Sequence, residues 1–240
     1  MNSRQKLVIL LAVVLAVSLY FAPKIGPDKK AEQADADFVS QFAEAQRDLS
    51  AEQKATYNRL EEGLKKAQTD NREESWMASG TDFLKGARMA QNDRKAVLYK
   101  GAISGFEKVL ALEPNNLSAK TNLGTCIVES SSLLGNQPMK GITLLREVIQ
   151  KDSNNIEANL QLGLFSVTSQ QFSKAIERFQ RILRIDSTHI DMYVYLGDTY
   201  MTMGEKQKAI ESYENYKTRV KDTLIERNID EYIKKLKQNN

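Results

Sequence analysis

The sequence is poor in the residues that cross-link or interrupt a chain. Its 240 residues include one cysteine, Cys126, and one histidine, His189. A single thiol cannot close an internal disulfide, and one Cys with one His cannot build a Cys/His metal site. There is no glycine-rich phosphate loop, and His189 stands alone with no triad partner in reach of its motif. Catalytic residues, metal ligands and cofactors are therefore all expected to be absent, and an enzyme is not the reading the chain favours. His189 reads as an exposed connector and Cys126 as a small buried thiol. The carboxylate pairs Glu61-Glu62 and Glu73-Glu74 read as solvated helix faces. Only four prolines and twelve glycines occur, so long helices are permitted almost throughout.

A basic excess on the folded part is also missing. The net charge is +3, but residues 1–30 hold five basic side chains against one acidic, while the other 210 hold 29 against 30. A nucleic-acid binder shows its basic patch on the folded body. This body is balanced, and no nucleic acid is expected as a partner.

There is one long hydrophobic run. Leu7 to Ala22 reads LVILLAVVLAVSLYFA and carries no charge. As a helix its sixteen residues span about 24 Å, slightly short of a bilayer core of about 30 Å. Arg4 and Lys6 precede it, and Tyr20 and Phe21 stand where an interfacial aromatic pair would stand. A cleaved signal peptide has the same charged start and apolar middle. Yet Leu19-Tyr20-Phe21-Ala22-Pro23 is a poor cleavage site, so the run is read as an uncleaved single-pass anchor in the lipid bilayer. Flanking charge leans slightly toward a cytoplasmic N-terminus with the body exported to the periplasm. The expected order is a tail (1–6), a transmembrane anchor (7–22) and a stalk (23–37), the last from its two prolines and small polar residues.

The rest is organised by repetition. Leu196-Gly197 is followed by Ala209 and Tyr213, and Leu162-Gly163 by Ala175 and Phe179. Both Leu and Ala recur at a separation of 34 residues. Leu123-Gly124 opens a looser block in which Gly141 and Leu145 fill the later slots after an insertion of about five residues, Ser130 to Pro138. Ala102, Phe106 and Pro114 mark a first block, with a turn at Asn92-Asp93 and a longer second helix. Each block reads as two amphipathic helices. Gly124, Gly163 and Gly197 let the helices of a pair approach, facing the small residues Ala102, Gly141, Ala175 and Ala209. A lone hairpin cannot bury its apolar face, so hairpins must stack.

The Leu-Gly, Ala, Phe/Tyr pattern and its period resemble the tetratricopeptide repeat family over about residues 80–223. The resemblance implies an all-α fold, a solenoid in which helical hairpins wind into a right-handed superhelix. The expected units are an N-terminal helical region (38–79) and repeats at 80–116, 117–155, 156–189 and 190–223. In the N-terminal region Ser50 and Gln53 form a capping box and Leu60 and Leu64 an apolar side. A capping helix (224–238) would follow, with Leu224, Ile225, Ile229, Ile233 and Leu236 as its packing stripe.

In that family the first helix of each repeat lines a peptide groove. The matching positions here are Thr121, Thr125 and Glu129 in the second repeat. The third repeat supplies Glu157, Leu160, Leu164 and Val167, and the fourth Asp191, Val194 and Asp198. A family variant that clamps carboxylates uses Lys, Arg and Asn at such positions. Their replacement by Thr, Leu, Val and Asp leaves no cation expected in the groove. An apolar middle with acidic edges suits a peptide or amphipathic helix of a protein partner, although Leu160 and Leu164 would also serve simply to pack repeats together. The resemblance thus implies a membrane-anchored interaction scaffold, adaptor or chaperone-like binder. The alternative is a structural subunit of an envelope-assembly, translocation or cytochrome-maturation complex that uses its convex face.

Overall fold

The computed structural model describes residues 29–91 and 94–238. The anchor expected at 7–22 and the turn at Asn92-Asp93 lie outside the described residues. Among the described residues no helix is long and apolar enough to cross a membrane. The described residues fall into two units, with the boundary between Ala43 and Glu44.

The described part of the first unit is helix α1, Lys29–Ala45, which runs two residues past the boundary. It starts inside the segment 23–37 that was read as a stalk. Residues 29–37 contain no proline or glycine and are rich in Ala, Lys, Glu and Gln, so helix propensity outweighs their small, polar character. Phe38 and Phe42, one turn apart, stack with ring centres 5.8 Å apart.

The second unit is a run of helices with no strand among the described residues. Helix α2 is Ala51–Asp70. The Ser50 hydroxyl accepts from Gln53 N and the Gln53 side chain accepts from Ser50 N, which closes the expected capping box. Its Tyr57, Leu60, Leu64 and Ala67 are buried, and it packs on α3, Glu73–Met89. Helix α3 begins seven residues before the boundary placed at 80 and pairs with α4, Arg94–Leu112.

Three more hairpins follow. Helix α5 (Leu117–Glu129) pairs with α7 (Pro138–Lys151), and the insertion between them folds as a short helix, α6 (Ser131–Leu134). Helix α8 (Ile156–Thr168) pairs with α9 (Phe172–Ile185), and α10 (Met192–Thr202) with α11 (Lys206–Lys217). Asn116 and Asn155 cap α5 and α8, each side-chain oxygen accepting from a backbone N–H three residues on at 2.9 Å.

Within a hairpin the two helices meet where a glycine faces an aromatic ring. A Cβ at position 163 would lie 2.6 Å from Phe179 Cε1, and one at 197 would enter the Tyr213 ring. The same meeting recurs in the first hairpin between Gly80 and Phe106. That glycine escaped the sequence pattern because Ser79, not Leu, precedes it. In the second hairpin Gly124 and Gly141 meet backbone to backbone.

The cores lie at the junctions between hairpins. One cluster joins Ile142, Leu145 and Val148 of α7 to Ala158 and Leu162 of α8. The next joins Ala175, Phe179 and Ile182 of α9 to Met192 and Leu196 of α10. The stack ends in α12, Thr223–Gln238, whose Ile233 packs on Ala209, Ile210 and Tyr213. Only part of the expected stripe is used. Ile229 and Leu236 are partly buried there, whereas Leu224 (55% exposed) and Ile225 (38%) stay in solvent. Both belong to the first turn, ahead of the helix's contact with α11. Two ion pairs complete the junction, Lys217–Asp230 at 2.8 Å and Lys237–Glu214 at 3.0 Å.

Substituting Gly197→Ala forces the Tyr213 ring aside and is expected to destabilise the fold by about 1–3 kcal/mol. Gly63→Ala lies mid-helix with nothing within 4 Å of the new methyl, and should stabilise by up to about 1 kcal/mol. Denaturant unfolding of the two variants checks both signs; equal effects would refute the close approach.

Candidate binding face

The first helices of the hairpins, α3, α5, α8 and α10, share one side of the stack, with α3 touching α5 and α5 touching α8. Three of them converge on an ionic network. Arg88, in the last turn of α3, donates from Nε and Nη2 to the two carboxylate oxygens of Glu129, at 3.2 and 2.8 Å. Its Nη2 also reaches Glu157 Oε1 at 2.9 Å. This is a fork on one carboxylate with a second carboxylate sharing one nitrogen, a geometry only a guanidinium supplies.

Helix termini explain the demand for donors. Glu157 stands in the first turn of α8, where the partial positive charge of free N–H groups favours an anion. Glu129 is the last residue of α5, where the dipole opposes it. Compensation comes from neutral donors as well as from Arg88. Tyr99 Oη donates to Glu129 Oε2 at 2.9 Å, and Gln161 Nε2 reaches Glu129 Oε1 at 2.9 Å and Glu157 Oε1 at 3.2 Å. Thr125 Oγ1 donates to Glu157 at 3.4 Å. The hydrogen bond to Glu129 holds the Arg88 guanidinium pKa above its ordinary value. Burial first, and then the Glu129 charge, push the Tyr99 phenol up.

The groove positions inferred from sequence separate into three kinds. Thr121 and Thr125 are buried, so they present no surface; Thr121 instead donates to Leu117 O at 2.8 Å. Leu160, Leu164 and Val167 are half-buried and pack against the α9–α10 core, the packing role that their apolar character already suggested. Glu129 and Glu157 are engaged with Arg88. The motif positions themselves carry no cation, but one reaches their carboxylates from another helix. Arg88 lies beyond the motif positions, and its partners are 41 and 69 residues away in sequence. Elsewhere on the hairpin of α10 and α11, Arg219 lies over the Tyr193 ring at 4.9 Å.

Helix α10 keeps an open stripe. Asp191 and Asp198 are exposed and Val194 is half-buried between them. Asp198 Oδ1 accepts from the Tyr213 hydroxyl at 2.6 Å, which fixes the carboxylate from below and, after burial, helps raise the Tyr213 phenol pKa. The Cys126 thiol is fully buried, and that burial pushes its pKa up. Among the described residues no group of His, Cys, Asp and Glu is placed to hold a metal ion.

A family model for the tetratricopeptide repeat matches residues 190–217, which are the α10–α11 hairpin. The fold is a tetratricopeptide-type solenoid. Among solved structures, MamA from Desulfovibrio magneticus RS-1 aligns with TM-score 0.55 and 18% identity, over 81% of this chain and 97% of that one. YrrB, described as a tetratricopeptide protein with an unusual peptide-binding site, aligns with TM-score 0.54 and 20% identity, over the same shares. At these identities the likeness concerns the fold alone. No curated protein sequence matches the chain.

Tyr99→Phe removes one donor to Glu129 and leaves the ring in place. It should lower the unfolding free energy by about 1.5 kcal/mol, the usual worth of a hydrogen bond to a charged acceptor. An unchanged value in denaturant titration would mean that the network adds nothing to stability.

Proposed function

We propose that this protein is a membrane-anchored, non-enzymatic interaction scaffold that presents the inner face of its solenoid to a peptide or helix of a protein partner. The observation carrying this reading is the stripe formed by Val194 and Asp198 of α10 with Asp191 at its N-cap. Two exposed carboxylates two turns apart flank an apolar residue, on the very hairpin that matches the repeat family. Neither carboxylate fills a core position, although Asp198 also accepts from the buried Tyr213 hydroxyl. Such a stripe complements an amphipathic segment that carries basic residues. The peptide-binding site named for YrrB, a protein of like fold, lends support by analogy.

In this reading residues 7–22 hold the chain in the bilayer with a cytoplasmic N-terminus, and the repeats stand on the periplasmic side. Tethering raises the local concentration of the face near membrane-bound partners. The alternative is a structural subunit of an envelope assembly, translocation or cytochrome-maturation complex that makes its contacts through the second helices of the hairpins.

Photo-crosslinking side chains placed at 194 and 198, and in parallel at exposed Lys174 and Glu177 of α9, separate the two readings. Adducts of one mass from the first pair alone are expected; adducts from the second pair alone would establish the alternative. In membranes, the intact chain should resist alkaline extraction, and spheroplast protease should digest the repeats. Release by alkali would end the anchor reading.

A further inference from the structure

We infer that the Glu129–Glu157 pair is a receptor for one guanidinium group, filled in the free protein by Arg88 and open to an arginine of a partner segment when Arg88 leaves. The inference rests on the inner-face reading and names the chemistry of one contact within it. Three observations lead to it.

First, the receptor is held by donors other than its occupant. Tyr99 from α4, Thr125 from α5 and Gln161 from α8 are each more than nine-tenths buried and donate to the two carboxylates from behind. These three donors hold the carboxylates from a side that Arg88 does not occupy. Second, the charge is unbalanced. Two carboxylates face one guanidinium, and Glu129 ends a helix whose dipole opposes it, so the site prefers to be occupied by a cation. The acceptors are arranged for a planar fork and not for a compact ammonium. Third, the occupant is the most exposed member. The Arg88 side chain is 44% exposed, against 22% for Glu129 and 33% for Glu157. It comes from the last turn of α3, two residues from the end of that helix's regular bonding. Arg88 thus acts as an internal ligand, and a partner's arginine has to displace it.

The test uses the full chain in mild detergent, with Nα-acetyl-arginine amide as the probe. Nα-acetyl-citrulline amide, of equal shape and no charge, is the control. Arg88→Ala should respond to the arginine probe with a saturable rise in thermal midpoint. Its apparent affinity should be about tenfold or more above that of the parent, because self-occupancy lowers the competent fraction. The citrulline probe should do nothing, and Glu129→Gln added to Arg88→Ala should abolish the response. Should Arg88→Ala fail to fold, Arg88→Gln keeps the aliphatic stem and takes the same titration. The parent chain gives an independent readout: the Arg88 Nε–H resonance should shift with the arginine probe and not with citrulline. A folded Arg88 variant with no saturable response, or equal responses to both probes, overturns the receptor. So does a parent Nε–H signal unmoved by arginine. Crosslinking at 194 and 198 does not involve Arg88, so its outcome judges the inner-face reading separately.

Discussion

Everything in the repeat body depends on how closely two helices can approach within a hairpin. A glycine on the first helix lets a ring or a branched side chain of the second lie directly on its backbone, as Phe179 does on Gly163. That contact joins the pair but leaves each hairpin with an outward apolar side, which no hairpin can cover by itself. The clusters running from α7 to α8 and from α9 to α10 are where that surface goes. Stacking follows from the shape of the hairpin, and a common face of first helices follows from stacking.

The hairpins at 156–189 and 190–223 could be read directly from sequence, because Leu-Gly, Ala and the aromatic recur in register and each residue is demanded by a local contact. The first hairpin was harder to place. Its glycine follows Ser79, and the helix that carries it starts at Glu73, so a pattern tuned to Leu-Gly misses the contact with Phe106. The helix within the segment read as a stalk was missed for a different reason. Small polar residues signal a linker by composition, but without proline or glycine they are also good helix formers.

The candidate face was less legible than the fold. Position rules describe where first-helix residues point in an average repeat, and they say nothing of what reaches in from elsewhere. Thr121 and Thr125 point inward because α5 is covered on both sides by its neighbours. Arg88 and Tyr99 approach from other helices, so no spacing within the second or third repeat reveals them. Gln161 alone left a local trace, since it follows Glu157 by one turn of helix.

Arg88 also alters how the stack holds together. Junction cores connect each hairpin only to its immediate neighbours, which makes such a chain behave like a row of dominoes that loosens from either end. The guanidinium breaks this rule by touching α3, α5 and α8 at once, so the first hairpin is coupled to the third across the second. Three hairpins thereby gain a shared cooperativity that the fourth lacks. The fourth hairpin stands outside this network and is closed instead by a helix with one buried side chain, Ile233.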